Sequence, residues 1–240
     1  MAEASQHTLR AFDDDLHHLR SLIGEMGGLA EAQINGAIDA LSRRDVDSAM
    51  RIVASDKRID ALEAEVEKVA ITTIALRQPM ADDLREIVAA LKISAMLERI
   101  GDYATNIAKR TTVLAQSQPI QPAVIIPEMG RLVAQMVKDA LDAYADRDPE
   151  LAIYVCERDR VVDDFYSSLF RSLLTYMMEN PHHITPSAHL LFIAKNLERV
   201  GDHATNIAEV VYFSVTGEHV GDRPKGDDSP YTLANWDEKG

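Results

Sequence analysis

The chain is poor in the residues that build sheets and cross-links. Aromatic residues make up 5% of its 240 positions, there is one tryptophan, and Cys156 is the only cysteine. A single thiol excludes an intrachain disulfide and a thiolate-rich zinc site, and few aromatics favour helix over pleated sheet. Positive charge is also short, with 25 Lys and Arg against 39 Asp and Glu and a formal net charge of −14. No window gathers Lys and Arg into the basic stripe that a phosphate backbone requires, which argues against direct nucleic-acid binding. Apolar runs such as 71–76 stop far short of the roughly 20 residues of a membrane span, so membrane association would go through a partner. Met1 to His7 is acidic where a secretory leader is basic, and a reducing cytoplasm is the expected location.

What the chain does have is helix formers between sparse breakers. The prolines leave stretches of about 30 residues uninterrupted. Helices are read over 8–43, 45–77 and 81–116, then a connector over 117–127 that contains Pro119, Pro122 and Pro127. Further helices are expected over 128–146, from Pro149 to Glu179 with Asp148 as N-cap, and from after Pro186 to about Val215. The reading is all-α: two tandem three-helix bundles over 8–116 and 128–216. Residues 217–240, polar and without a periodic apolar face, are read as a flexible tail.

A repeat ties the two halves together. Leu97-Glu98-Arg99-Ile100-Gly101-Asp102-Tyr103-Ala104-Thr105-Asn106-Ile107-Ala108 returns as Leu197-Glu198-Arg199-Val200-Gly201-Asp202-His203-Ala204-Thr205-Asn206-Ile207-Ala208, identical at ten of twelve positions. Helix packing tolerates many apolar exchanges, so it does not account for two copies keeping the same Glu, Arg, Gly, Asp, Thr and Asn. The repeat marks a duplicated site on duplicated bundles.

The shared polar residues define a face. Glu98 and Asp102 stand one turn apart, and so do Glu198 and Asp202, with Asn106 and Asn206 continuing each row. Leu84, Ile87 and Leu91 share the azimuth of Glu98, so the acidic stripe is expected to point toward the core. One helix earlier, Asp56 with Asp60 and Asp159 with Asp163 repeat the i, i+4 spacing. Asp60 and Glu98 each lie about 18 residues from the hairpin turn, which sets the pairs of the first half at one height. The same count around Pro181 matches Asp163 with Glu198.

Four carboxylates gathered with little water are costly unless paired with arginine or a metal ion. Arg99 and Arg199 project about 100° away from the acidic face, which leaves a metal. All-oxygen ligand sets suit hard cations such as magnesium, manganese, calcium or oxidised iron, with zinc a weaker match. Any one pair alone would read as a solvated face; four in register do not. Gly101 and Gly201, each costing about 1 kcal/mol in a helix, fit either a close helix crossing or room for an ion. Glu179 and His182 have Glu-x-x-His spacing, but Pro181 breaks the helix that would align them. His203 reads as a packing or surface residue and Cys156 as a small core residue.

The doubled Leu-Glu-Arg-[Ile/Val]-Gly-Asp-x-Ala-Thr-Asn-Ile-Ala, with Leu76-Arg77-Gln78-Pro79-Met80-Ala81-Asp82-Asp83-Leu84-Arg85 before its first copy, resembles the PhoU family over residues 8–216. The resemblance implies pseudo-twofold bundles with metal clusters on Asp56, Asp60, Glu98 and Asp102 and on Asp159, Asp163, Glu198 and Asp202. It also implies a cytoplasmic regulator that restrains the phosphate-starvation response, working between a phosphate ABC transporter and a sensor histidine kinase. A homodimer is expected. Asp82-Asp83-Leu84-Arg85 has no acidic counterpart in Ser187-Ala188-His189-Leu190, so a partner surface there would belong to the first half alone. The rival readings are a carboxylate-bridged di-metal enzyme and a purely structural helical scaffold. The enzyme would want histidine ligands and a nucleophile with its base, which the sequence does not supply.

Overall fold

The computed structural model describes residues 2–221, with side chains from residue 12 onward. Among these residues every regular element is helical: α1 (Ala2–Arg43), α2 (Val46–Ser55), α3 (Lys57–Arg77), α4 (Ala81–Leu114), α5 (Ile126–Asp146), α6 (Pro149–Glu179) and α7 (Ile184–Thr216). Short 3-10 turns at Gln121–Ile125 and Pro181–His183 lead into α5 and α7.

Helix ends follow local chemistry. Asp45 accepts from Ser48 N at 3.0 Å, and Asp148 accepts from Glu150 N and Leu151 N at 2.9 and 3.1 Å, each satisfying donors that the first turn leaves free. The residue before each N-cap, Arg44 or Arg147, takes a left-handed backbone, with φ of 57° and 54°. Gly217, at φ 76°, closes α7 by donating its N–H to Phe213 O.

The expected second helix, 45–77, is two helices. The break falls at Asp56, where Ser55 Oγ turns back onto Ile52 O at 2.8 Å and accepts from Gln33 Nε2 of α1 at 3.2 Å. The last helix begins at Ile184, two residues before Pro186, because a proline in the first turn forfeits no intrahelical bond. The 117–127 connector is packed rather than suspended. Ile120 and Pro122 are buried, and Tyr176 donates its hydroxyl proton to Gln121 Oε1 at 2.7 Å. Of the expected tail, Gly217–Gly221 lies against α7, where His219 stacks on Phe213 at 4.6 Å. Residues 222–240 lie outside the described residues.

In the first half α1, α2–α3 and α4 pack on one another; in the second, α5, α6 and α7 do the same. The halves meet through α4 on α7 and α1 on α5. At the second contact a Cβ on Gly27 would overlap Leu141, and one on Gly130 would lie 2.7 Å from Ile38 Cγ1. The two close approaches are copies of each other, because Glu25-Met26-Gly27-x-Leu29 returns as Glu128-Met129-Gly130-x-Leu132. The helices therefore run antiparallel about a pseudo-twofold axis. The same axis brings Tyr103 of α4 onto His203 of α7, their ring centroids 5.6 Å apart. Buried apolar residues from all seven helices form one contiguous core, so the burial that drives folding crosses the seam.

One buried charge also crosses it. Glu86 of α4 accepts from Arg20 Nε of α1 at 2.6 Å and from Arg147 Nη1, in the α5–α6 corner, at 2.7 Å. Burial, followed by the charge of Glu86, pushes the neighbouring Tyr144 hydroxyl above its ordinary range. Arg44, at the matching corner of the first half, instead donates to the carbonyls of Leu114 and Ser117 and closes the end of α4.

Candidate functional site

Two acidic faces flank the seam. In the first half the hairpin of α2–α3 and α4 sets Asp56 and Asp60 against Glu98 and Asp102. Burial, then the charges of Asp60 and Asp102, raises the Asp56 carboxyl. Burial, then Asp102 and Glu63, raises Glu98. Glu63, one turn beyond Asp60 on the same face, is itself raised by burial and then by Asp60 and Glu67. The first face thus carries five carboxylates, one more than the spacing argument named.

The second face carries four. Burial, then Asp159 and Glu198, raises both Asp163 and Asp202 to about 6. Here Lys195 enters the cluster: its ammonium pairs with Glu198, 5.3 Å from the centre of the Tyr166 ring. The matching positions of the first half are Ala95 and Glu63.

The carboxylates line the rim of the bundles rather than the core. Asp60 is exposed, Asp202 is exposed as a residue with its carboxyl the more buried part, and Asp56, Glu98, Asp102, Asp159, Asp163 and Glu198 are half-buried. The apolar stripe that the acidic rows were expected to continue reaches the core only briefly along α4: Leu84 is exposed, Ile87 is buried and Leu91 is half-buried. Asn106 and Asn206 stand exposed one turn further along. Arg99 does not point clear of its cluster, since its Nε lies 3.6 Å from Glu98 Oε2. Arg199 instead stands 5.8 Å from the Tyr103 ring centre. Glu179 and His182 are both exposed. His203 is half-buried in its stack, and burial followed by the charges of Arg99 and Arg199 lowers its pKa.

The glycines of the repeat separate the two faces further. A Cβ on Gly101 would lie 3.1 Å from Gln33 Oε1 and 3.2 Å from Asp56 Oδ1, whereas one on Gly201 would meet only Val162 and Val133 at 3.4 to 3.7 Å. Gly101 makes room where two side-chain oxygens converge, and Gly201 makes an ordinary helix contact. Gln33 Oε1 is buried and without a hydrogen-bond partner; Met136 holds its place in the second half.

This donor set fits a hard cation in kind. It consists of carboxylate oxygens, those of Asp56, Glu98, Asp163 and Asp202 raised in pKa first by burial and then by their acidic neighbours, beside the Gln33 amide oxygen, which accepts no hydrogen bond. Among the described residues, however, no three His, Cys, Asp or Glu side chains are already grouped as a metal site. Side chains would have to turn inward to take up an ion.

The fold and its two faces define a class: a duplicated all-helical protein that carries acidic clusters on both sides of a pseudo-twofold seam. A family model described as the PhoU domain matches residues 23–111 and 126–211, and the chain belongs to that family. It is 54% identical over 230 residues to a phosphate-specific transport system accessory protein PhoU homolog of Zymomonas mobilis, covering 95% of this chain and 97% of the relative. It is 37% identical over 237 residues to the accessory protein PhoU of Escherichia coli, covering 97% and 96%. The crystal structure of PhoU from Pseudomonas aeruginosa is 39% identical with a TM-score of 0.83, covering 86% of this chain and all of that one. The PhoU structure from Streptococcus pneumoniae, 28% identical, superposes with a TM-score of 0.80 over 87% of this chain and 99% of that one.

Proposed function

We infer that the chain is a non-catalytic regulator of phosphate uptake, acting in the cytoplasm between the ATPase of a phosphate ABC transporter and a sensor histidine kinase. The observation that carries this reading is the end-to-end similarity to proteins named as accessory proteins of phosphate-specific transport. Among the described residues no helix is long and apolar enough to cross a membrane, which agrees with a protein that reaches the transporter by docking. A homodimer would present two such docking faces.

Metal ions, magnesium, manganese or iron in preference to zinc, are held on Asp56, Asp60, Glu98 and Asp102 and on Asp159, Asp163, Glu198 and Asp202. Asn106 and Asn206 lend oxygen donors at the rim. The ion's contribution is positive charge that relieves carboxylate repulsion. The chain supplies the frame, with two hairpins holding the acidic rows at one height, so that ion binding is coupled to the stability and shape of the bundle.

Deleting the gene should leave phosphate-starvation genes expressed in high phosphate, and a variant with all eight acidic residues replaced should complement poorly. Elemental analysis of protein purified without chelators should find metal, and Glu98→Ala with Asp102→Ala should roughly halve it while helical content stays intact. Intact repression after deletion, together with metal-dependent turnover of a substrate by the pure protein, would replace this reading with the di-metal enzyme.

A further inference from the structure

The seam between α4 and α7 has two ends that the pseudo-twofold makes equivalent, and they are built oppositely. At one end the Arg110 guanidinium lies 4.3 Å from the centre of the Phe192 ring, and its Nη1 is 3.3 Å from His189 Nδ1. Cation, ring and imidazole close that end. At the other end the residues in those three places are Val210, Lys92 and Ala89, and the seam opens into an open-sided pocket of about 400 Å³. Leu84, Val88, Val210 and Phe213 give it an apolar floor, and Arg85, Lys92 and His219 bring three basic groups to its wall. Glu209 is the one acid lining it. Arg85 holds Asp82 through Nη2 at 2.6 Å, while its Nε is buried with no hydrogen-bond partner. Ala81, also in the lining, takes a φ of 42°, a left-handed conformation that costs an alanine about 1–3 kcal/mol and collects at ligand sites.

We propose that this pocket binds a small organic phosphate monoester with a flat apolar body, of the size of a nucleoside monophosphate. A phosphoryl group can accept from the Lys92 ammonium and from the unused Nε–H of Arg85, whose charge Asp82 otherwise balances. The apolar floor calls for an organic body, and the volume lies in the range of small-molecule sites. The site is separate from the acidic faces and does not rest on the proposed regulatory role.

Calorimetric titration of the full chain with AMP, run with a chelator present, tests the assignment. One AMP per chain with a Kd on the order of 10–100 µM supports it, provided adenosine and inorganic phosphate each bind at least tenfold more weakly. Lys92→Glu should weaken AMP at least tenfold. Lys92→Phe with Val210→Arg, which copies the closed end, should abolish binding with helical content unchanged. Should that pair fail to fold, Ala89→His alone narrows the pocket and should weaken AMP. No saturation by 10 mM AMP, inorganic phosphate binding as well as AMP, or undiminished binding in the variants would overturn the proposal. Because the chelator removes metal, loss of the metal reading leaves this result standing.

Discussion

The two halves share a frame and an acidic stripe, yet they balance its charge differently. The first face gathers Asp56, Asp60, Glu63, Glu98 and Asp102, with Arg99 at its edge and the unpartnered oxygen of Gln33 beneath. The second gathers one carboxylate fewer and carries its own cation, Lys195, on Glu198. Counted over these groups, with Arg99 and Lys109 beside the first face and Lys195 within the second, the formal charge is −3 on each. Duplication preserved the rows and let the counter-charge move: Arg99 and Lys109 act on the first cluster, and Lys195 sits on Glu198 in the second.

The largest expected effect lies where the halves are clamped together. Glu86→Ala would leave Arg20 and Arg147 facing each other without their shared carboxylate, and urea unfolding should register a loss of about 3 kcal/mol. Pro186, the counterpart of Glu86 along α7, can form no such clamp, and a neutral Glu86 result would make the seam purely apolar. Next is Lys195→Ala. On the proposed metal reading, removing the built-in cation should raise metal affinity at the second face about tenfold, while Ala95→Lys should lower that of the first by a similar factor. Manganese titration of the two variants against wild type reads both directions.

The glycines give a smaller and more discriminating contrast. Gly201→Ala meets only ordinary contacts and should stabilise by about 0.5–1 kcal/mol through helix propensity. Gly101→Ala pushes on Ile59, Gln33 and Asp56 and should gain nothing or lose stability. Equal gains at both positions in thermal unfolding would remove the distinction drawn between the faces.

The smallest effect is a pH slope. Asp163 and Asp202 titrate near 6 when folded, against an ordinary value of 3.8, so between about pH 4 and 6 the folded chain holds protons that the unfolded chain has released. Stability of the metal-free protein therefore falls as pH rises through that window and stays low above it. Asp163→Asn with Asp202→Asn should flatten the slope by about 2–4 °C in the melting midpoint between pH 4.5 and 7.

Much of this was legible in the amino-acid order. Prolines marked the turns before α4, α5, α6 and α7, and the twelve-residue repeat revealed the duplication because it kept polar residues that packing alone would have let drift. The pairing of Asp60 with Glu98 followed from counting to the turn. Glu63 was also within reach of that reasoning, standing seven residues from Asp56 on the same helical face. The break at Asp56 was not, since no proline or glycine marks it and the Gln33–Ser55 bond beside it comes from a different helix. Lys195 stands three residues before Glu198, but the ammonium's choice of partner is a matter of side-chain rotation that spacing leaves open. The stripe was placed too deep because a face that begins apolar at Ile87 curves out to the rim before the carboxylates begin.

The stack of Tyr103 on His203 joins a position to its own copy. Were each bundle a separate chain, the same contact would set two identical rings against each other, and any exchange there would alter both sides at once. Joined in one polypeptide, the two partners are encoded separately and can become unlike. One side here is a phenol and the other an imidazole held between Arg99 and Arg199, a heterodimer-like seam from a homodimer-like plan.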